Sequence, residues 1–166
     1  MTDAILLIIF SFFASLGFGI VFRIEKKYLM IAGFSGALTR FVYLLLMQFI
    51  SESFIYNFLA AAVAALFAEL MAIYTKNPST IFLYPSIIPL IPGGALYYSV
   101  VGLMLQNSEY ISGYLALCIH SLAGLGLGFV FVSIIMHYKR RYLRIVRRRK
   151  ALAALKAAKK AQKGPH

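Results

Sequence analysis

Apolar residues run almost without interruption through positions 4–22, 28–50, 54–75, 79–105 and 110–138, and short polar breaks separate these runs. A helix needs roughly 20 apolar residues to cross about 30 Å of hydrocarbon, so the pattern predicts an all-α polytopic membrane protein with five transmembrane helices. The fourth run is written differently from the rest. Tyr84-Pro-Ser-Ile-Ile-Pro-Leu-Ile-Pro-Gly-Gly94 places three prolines and two glycines in one apolar stretch. Proline has no N–H for its helical hydrogen bond and collides with the preceding turn, so Pro85, Pro89 and Pro92 predict a broken helix. The two pieces, 79–91 and 94–105, are each too short to cross at about 1.5 Å per residue. Together they form one crossing interrupted by the Pro/Gly segment.

Composition agrees with a membrane protein: of 166 residues, 61% are hydrophobic and five are acidic. The charges predict the orientation. Arg23, Lys26 and Lys27 follow the first run, Lys76 follows the third, and a cluster from Lys139 to Lys163 follows the fifth; the other connections carry Asp3, Glu52 and Glu109. Basic residues are retained in the cytoplasm, so every loop agrees with the N-terminus outside and the C-terminus inside. The start lacks the positive region of a secretory signal, and its run is expected to be a retained first helix. Two parts are expected, a five-span membrane domain at 1–138 and a basic cytoplasmic tail at 139–166. Most of the net charge of +12 sits in that tail, with Arg140, Arg141, Arg144, Arg147, Arg148 and Arg149. Anionic lipid headgroups are its expected partner, and no base-reading fold suggests nucleic acid.

Charges deep in a span cost roughly 2.5–3.5 kcal/mol on the insertion scale, so each needs a partner or water. Arg40 lies well inside the second run and Glu69 late in the third. Counted from Ser51–Ser53, they sit about 10 and about 15 residues deep, an axial offset of about 7–8 Å. Two readings follow. The pair forms an ion bridge holding the hairpin, or Arg40 attracts an anionic substrate while Glu69 exchanges a proton. Gly33, Gly36 and Tyr43 share a face with Arg40, and Ala62, Ala65 and Ala72 share one with Glu69, so both faces are expected to meet protein. His120, mid-way along the fifth run, is either a packing residue or a proton carrier. The run Gly124-x-Gly126-x-Gly128 follows no strand, and its Gly124/Gly128 spacing suits close helix packing rather than a nucleotide. Tyr97 and Tyr98 follow the break, as ligand-binding phenols or as interfacial anchors. There is no catalytic constellation, and the lone Cys118 excludes a multi-cysteine metal site; neither an enzyme nor a cofactor is expected.

Pro85-Ser-Ile-Ile-Pro-Leu-Ile-Pro-Gly93 followed by Tyr97, with Arg23-x-x-Lys26-Lys27 after the first run and Glu69 late in the third, resembles the threonine/serine exporter family. The likeness is to its smaller five-span second domain, which occurs fused to a larger first domain or as a separate chain. This chain is similar to the separate small subunit of split pairs associated with succinate export. The resemblance implies a bacterial inner-membrane location, a separate large subunit as partner in a hetero-oligomer, and a site region centred on Pro85, Pro89, Pro92, Gly93 and Tyr97.

Oriented backbone groups at an interrupted helix are how many transporters build a substrate site. The expected function is therefore that of an exporter subunit for a small carboxylate-bearing metabolite, succinate-like or threonine/serine. Free N–H groups near Gly93 and Gly94 would receive a carboxylate, Tyr97 would add a hydrogen bond, and Arg40 would neutralise a second carboxylate. Glu69 or His120 would carry a coupling proton. The alternative is a non-transporting membrane scaffold whose small-residue faces bind a partner.

Overall fold

In the computed structural model, which describes residues 2–162, the apolar runs become helices: α1 (Thr2–Val21), α2 (Lys26–Phe49), α3 (Ser53–Thr75), α4 (Thr80–Ile87), a 3-10 turn (Ile88–Leu90), α5 (Gly93–Met104) and α6 (Ser108–Gln162). There is no strand among the described residues. Three of the connections begin on a left-handed residue that is not glycine: Arg23 (φ 55°), Lys76 (φ 58°) and Gln106 (φ 52°). Behind Arg23, the Ile24 N–H donates to the Gly19 carbonyl at 2.9 Å; behind Gln106, the Asn107 N–H donates to Gly102 at 3.2 Å. These are the six-to-one bonds of a Schellman closure, which ties up carbonyls left open at a helix end. Left-handed backbone costs an L-residue roughly 1–2 kcal/mol. At Arg23 and Lys76 a cation at the negative end of the helix dipole offsets part of that cost. The same two residues thus carry charge in the connections after α1 and α3 and terminate those helices.

Helix α3 is the hub. Ala60, Ala61, Ala64, Ala65 and Ala68 are all essentially inaccessible. With no hydrophobic drive between helices in lipid, association rests on close dispersion contact, which small side chains permit. Against α3 lies α6. A Cβ on Gly124 would collide with the Phe54 carbonyl oxygen, and one on Gly128 with that of Phe58, whereas Gly126 faces open space. The expected packing role of the Gly124/Gly128 pair is thus realised backbone to backbone. Helices α1 and α2 approach through glycine as well: a Cβ at Gly33 would come within 2.9 Å of the Phe12 ring, and one at Gly36 would strike the Ser15 side chain. Ala60, Ala61, Leu125 and Leu90 form a core cluster, with Val42, Tyr43 and Leu46 packed on it. Because Leu90 belongs to the 3-10 turn, the broken segment sits in the middle of this core between α2 and α3.

By length and composition α1, α2, α3 and the first part of α6 can each cross a membrane; the pair Thr80–Leu90 and Gly93–Met104, bent by 48°, meets the same test when taken together. Contacts divide the chain into two units, Met1–Val132 and Ser133–His166. The described part of the second is the continuation of α6, in which the rings of His137 and Tyr138 meet edge-on at 6.5 Å. The side chains of Arg144, Arg147, Arg148 and Arg149, on which lipid docking was expected to rest, lie outside the described residues, as does Lys163.

Replacing Gly124 and Gly128 together by alanine is expected to lower the stability of the detergent-solubilised chain by about 1–3 kcal/mol, the usual cost of overpacking. Gly126→Ala, into open space, is expected to leave it unchanged. Thermal unfolding of the two variants side by side checks the contrast.

Candidate functional site

Each proline in the fourth run removes the N–H that the carbonyl four residues earlier would have used. Pro85 releases Ile81, Pro89 releases Pro85, and Pro92 releases Ile88. In a membrane-embedded core such carbonyls must find protein donors, since an unsatisfied one costs several kcal/mol. The Ile88 carbonyl is served locally by the Ile91 N–H at 3.3 Å, which closes the 3-10 turn. The Pro85 carbonyl is served from another helix: Ser15 Oγ on α1 donates to it at 2.8 Å, with Ser15 fully buried. At Pro92 the backbone (φ −77°, ψ 58°) makes an inverse γ-turn, in which the Gly93 N–H donates to the Ile91 carbonyl at 2.8 Å. The Gly93 N–H is therefore diverted from the Pro89 carbonyl, its partner in a continuous helix. That carbonyl accepts instead from Arg40 Nη1 on α2, at 3.1 Å.

Arg40 is thus held at the break. Its guanidinium carbon stands 5.0 Å from the centroid of the Tyr43 ring, a cation–π distance, and Tyr43 meets Tyr56 edge-on at 5.3 Å. Arg40 Nε is buried and has no hydrogen-bond partner. The cation therefore has a cushion, one neutral acceptor and an unfilled donor. An anion is the acceptor a guanidinium binds most strongly, and a carboxylate can engage two of its N–H groups at once.

The other expected site residues divide in two. Pro85 and Pro89 lie beside Ser15 and Arg40, inside the bundle. Gly93 and Gly94 are exposed, and a Cβ at either would meet nothing within 4 Å. Tyr97 is 64% exposed and leans on Tyr98 at 5.3 Å, at the edge of a cluster in which the rings of Tyr98, Tyr110 and Tyr114 meet at tilted or edge-on angles. A groove of about 410 Å³ beside these rings is lined by Asn107, Glu109, Tyr110, Gly113, Tyr114 and Leu117. Glu69 is buried among the alanines of α3. His120 is exposed on α6, and a Cβ at Gly113, two turns earlier on that helix, would meet nothing within 4 Å.

Nothing in the sequence around Ser15 singles it out, although the proline spacing contains the signal that a donor is needed. A proline at position 89 announces an orphan carbonyl at position 85; it does not announce which of four neighbouring spans supplies the hydroxyl. Arg40 was singled out for its cost in lipid, and its acceptor became visible only with the packing of α2 against the 3-10 turn.

A polytopic bundle with a proline-broken helix and a cation held at the break belongs among multi-pass membrane transport proteins. Residues 7–135 match the family model described as Threonine/Serine exporter, ThrE, and the chain belongs to that family. No curated protein and no solved structure matches the chain.

Arg40→Met, which keeps the aliphatic bulk and deletes every donor, is expected to lower stability in detergent by about 1.5–3 kcal/mol, the worth of a hydrogen bond to a charged group. Arg40→Lys is expected to fall between, keeping the charge and losing the planar contact with Tyr43. Thermal unfolding of both variants gives the comparison.

Proposed function

We propose that this chain is one subunit of a bacterial inner-membrane exporter of small carboxylate-bearing metabolites, succinate-like dicarboxylates or threonine/serine, working with a separate large subunit of the same family. Membership of the exporter family supports the reaction class. The observation that carries the site assignment is Arg40, a half-buried cation with an unfilled donor, hydrogen-bonded to the broken helix at Pro89. A substrate carboxylate displaces the neutral Pro89 carbonyl as the acceptor of Arg40, because charge-assisted pairing to a carboxylate is about twice as strong as pairing to a neutral group. The start of α5, with Gly93 and Gly94 at its positive dipole end, receives a second carboxylate or the rim of the same one.

In this arrangement α4, the 3-10 turn and α5 form a single interrupted crossing, the N-terminus lies outside and the C-terminus in the cytoplasm. The placement of Arg23, Lys26, Lys27 and Lys76 in two loops of one side supports it. The basic tail binds anionic headgroups from the cytoplasmic side. Glu69, buried in α3, or His120 carries the coupling proton. The large subunit covers the open side of Gly93, Gly94 and Tyr97 and completes the site there; the exposure of these residues in the single chain supports a shared site.

That same exposure favours one other reading, a scaffold whose α5 face docks a partner without handling substrate. Arg40→Gln separates the two, since Arg40 lies at the Pro89 carbonyl inside this chain and not on the exposed α5 face. Loss of export with the two-chain assembly intact supports the exporter; loss of assembly supports the scaffold. The primary test is efflux of labelled succinate and labelled threonine from cells carrying this chain, the large subunit, both or neither. Export of one compound only with both chains present is the expected result, and Arg40→Gln with normal membrane insertion is expected to abolish it. Full efflux in the Arg40→Gln variant would take Arg40 out of the site.

A further inference from the structure

We infer that Ser15 is a positioning residue for the interrupted helix: its hydroxyl replaces the N–H that Pro89 lacks, and through the Pro85 carbonyl it aims the Pro89 carbonyl at Arg40. The inference rests on the proposed exporter site at Arg40 for its functional consequence, and on geometry alone for the grip itself.

Ser15 is unlike the other hydroxyls of this core. Ser11, Ser35, Thr39, Ser86 and Ser99 each donate to a carbonyl three or four residues earlier on their own helix. Such local bonds are the default for hydroxyls in a helix and add no tertiary information. Ser15 Oγ instead reaches 70 residues along the chain to Pro85, at 2.8 Å and fully buried. The carbonyl it meets is the one left open by the proline four residues later. The space it occupies is kept clear by a third helix, because a Cβ on Gly36 would strike Ser15 Oγ and come to 2.5 Å of Ser15 Cβ. Three helices therefore converge on one hydrogen bond: α1 supplies the donor, α2 the room and α4 the acceptor.

The consequence for the site follows from distance along the chain. Pro85 and Pro89 are separated by one helical turn, and Leu90 next to them is anchored in the core. Ser15 donates to the first carbonyl of that turn and Arg40 donates to the last. Were the Pro85 carbonyl free to rotate toward another donor, the turn would shift and the Arg40 acceptor with it. Ser15 touches neither substrate nor Arg40; it sets where Arg40 finds its resting partner.

The test is a cycle built on the cause of the orphan carbonyl. In the purified full chain, hydrogen–deuterium exchange of the amides of Ile87, Ile88, Leu90 and Ile91 is measured for the wild type, Ser15→Ala, Pro89→Ala and the double variant. Ser15→Ala is expected to accelerate exchange about tenfold, the equivalent of one buried hydrogen bond. Pro89→Ala restores an N–H to the segment, so the same serine substitution in that background is expected to change exchange less than about twofold. Ser11→Ala, one turn earlier with only a local bond, is the control and is expected to change nothing in this segment. Equal acceleration in both backgrounds, or none in either, overturns the inference. Should Ser15→Ala fail to insert, Ser15→Cys, of similar size with a weaker donor, carries the same cycle with an expected acceleration of about threefold.

Efflux then separates this inference from the exporter reading. With both chains present, Ser15→Ala is expected to raise the substrate concentration for half-maximal efflux while the maximal rate changes less. Unaltered efflux despite accelerated exchange overturns the positioning role. If the wild type exports neither labelled compound, the exporter reading fails, and the exchange cycle alone decides whether Ser15 stands in for the missing N–H.

Discussion

A carbonyl that loses its N–H inside a membrane protein has few remedies, and the architecture of this bundle is arranged around three such losses, at Pro85, Ile88 and Pro89. Pro89 and Pro92 break the fourth apolar run by chemistry, not by clash alone, whereas Pro85, expected to break it too, lies inside α4. The protein repairs the damage with an adjacent turn at Ile88–Ile91, a hydroxyl from α1 and a guanidinium from α2. These repairs recruit α1 and α2 to a segment that is far from both in sequence. The broken segment consequently has Leu90 in the core and Gly93 open.

The small-residue surfaces follow from the same need. A hydroxyl as short as that of Ser15 can reach a carbonyl on α4 only if α1 lies close to its neighbours, and Gly36 makes that approach possible. The alanine face of α3 and the Gly124/Gly128 pair on α6 likewise bring helices together. Close approach is the source of cohesion in a medium that offers no hydrophobic gain between helices. It also leaves little slack, so that a single Cβ at position 36, 124 or 128 must displace a neighbour.

Arg40 connects the structural economy to transport on the proposed reading. A guanidinium in a span is costly unless paired. Pairing it to a neutral backbone carbonyl, with a tyrosine ring beneath and one donor unfilled, leaves it adequately but not maximally satisfied. A fully compensated ion pair would hold the cation and deny it to a ligand. A resting acceptor weaker than a carboxylate is what a reversible anion site requires, since binding is then an exchange of partners and no charge is stripped bare.

The linear pattern by itself determined the helical runs, the place where one is broken, and the packing role of Gly124 and Gly128, because length in lipid, the missing proline N–H and the absent Cβ are properties of residues and not of neighbours. It also determined that donors would be needed at the break and that Arg40 would need a partner. The tertiary structure alone decided who meets whom: that Ser15 serves Pro85, that Arg40 chooses the Pro89 carbonyl, that Gly93, Gly94 and Tyr97 face outward, and that His120 lies exposed on α6. The physical reason is that these helices are apolar on every side. In water, the polar face of a helix announces its outside; in a bilayer, lipid and protein neighbours are alike to an apolar side chain, so the rotation of each helix is set by which small residues fit together and which few polar atoms must find one another.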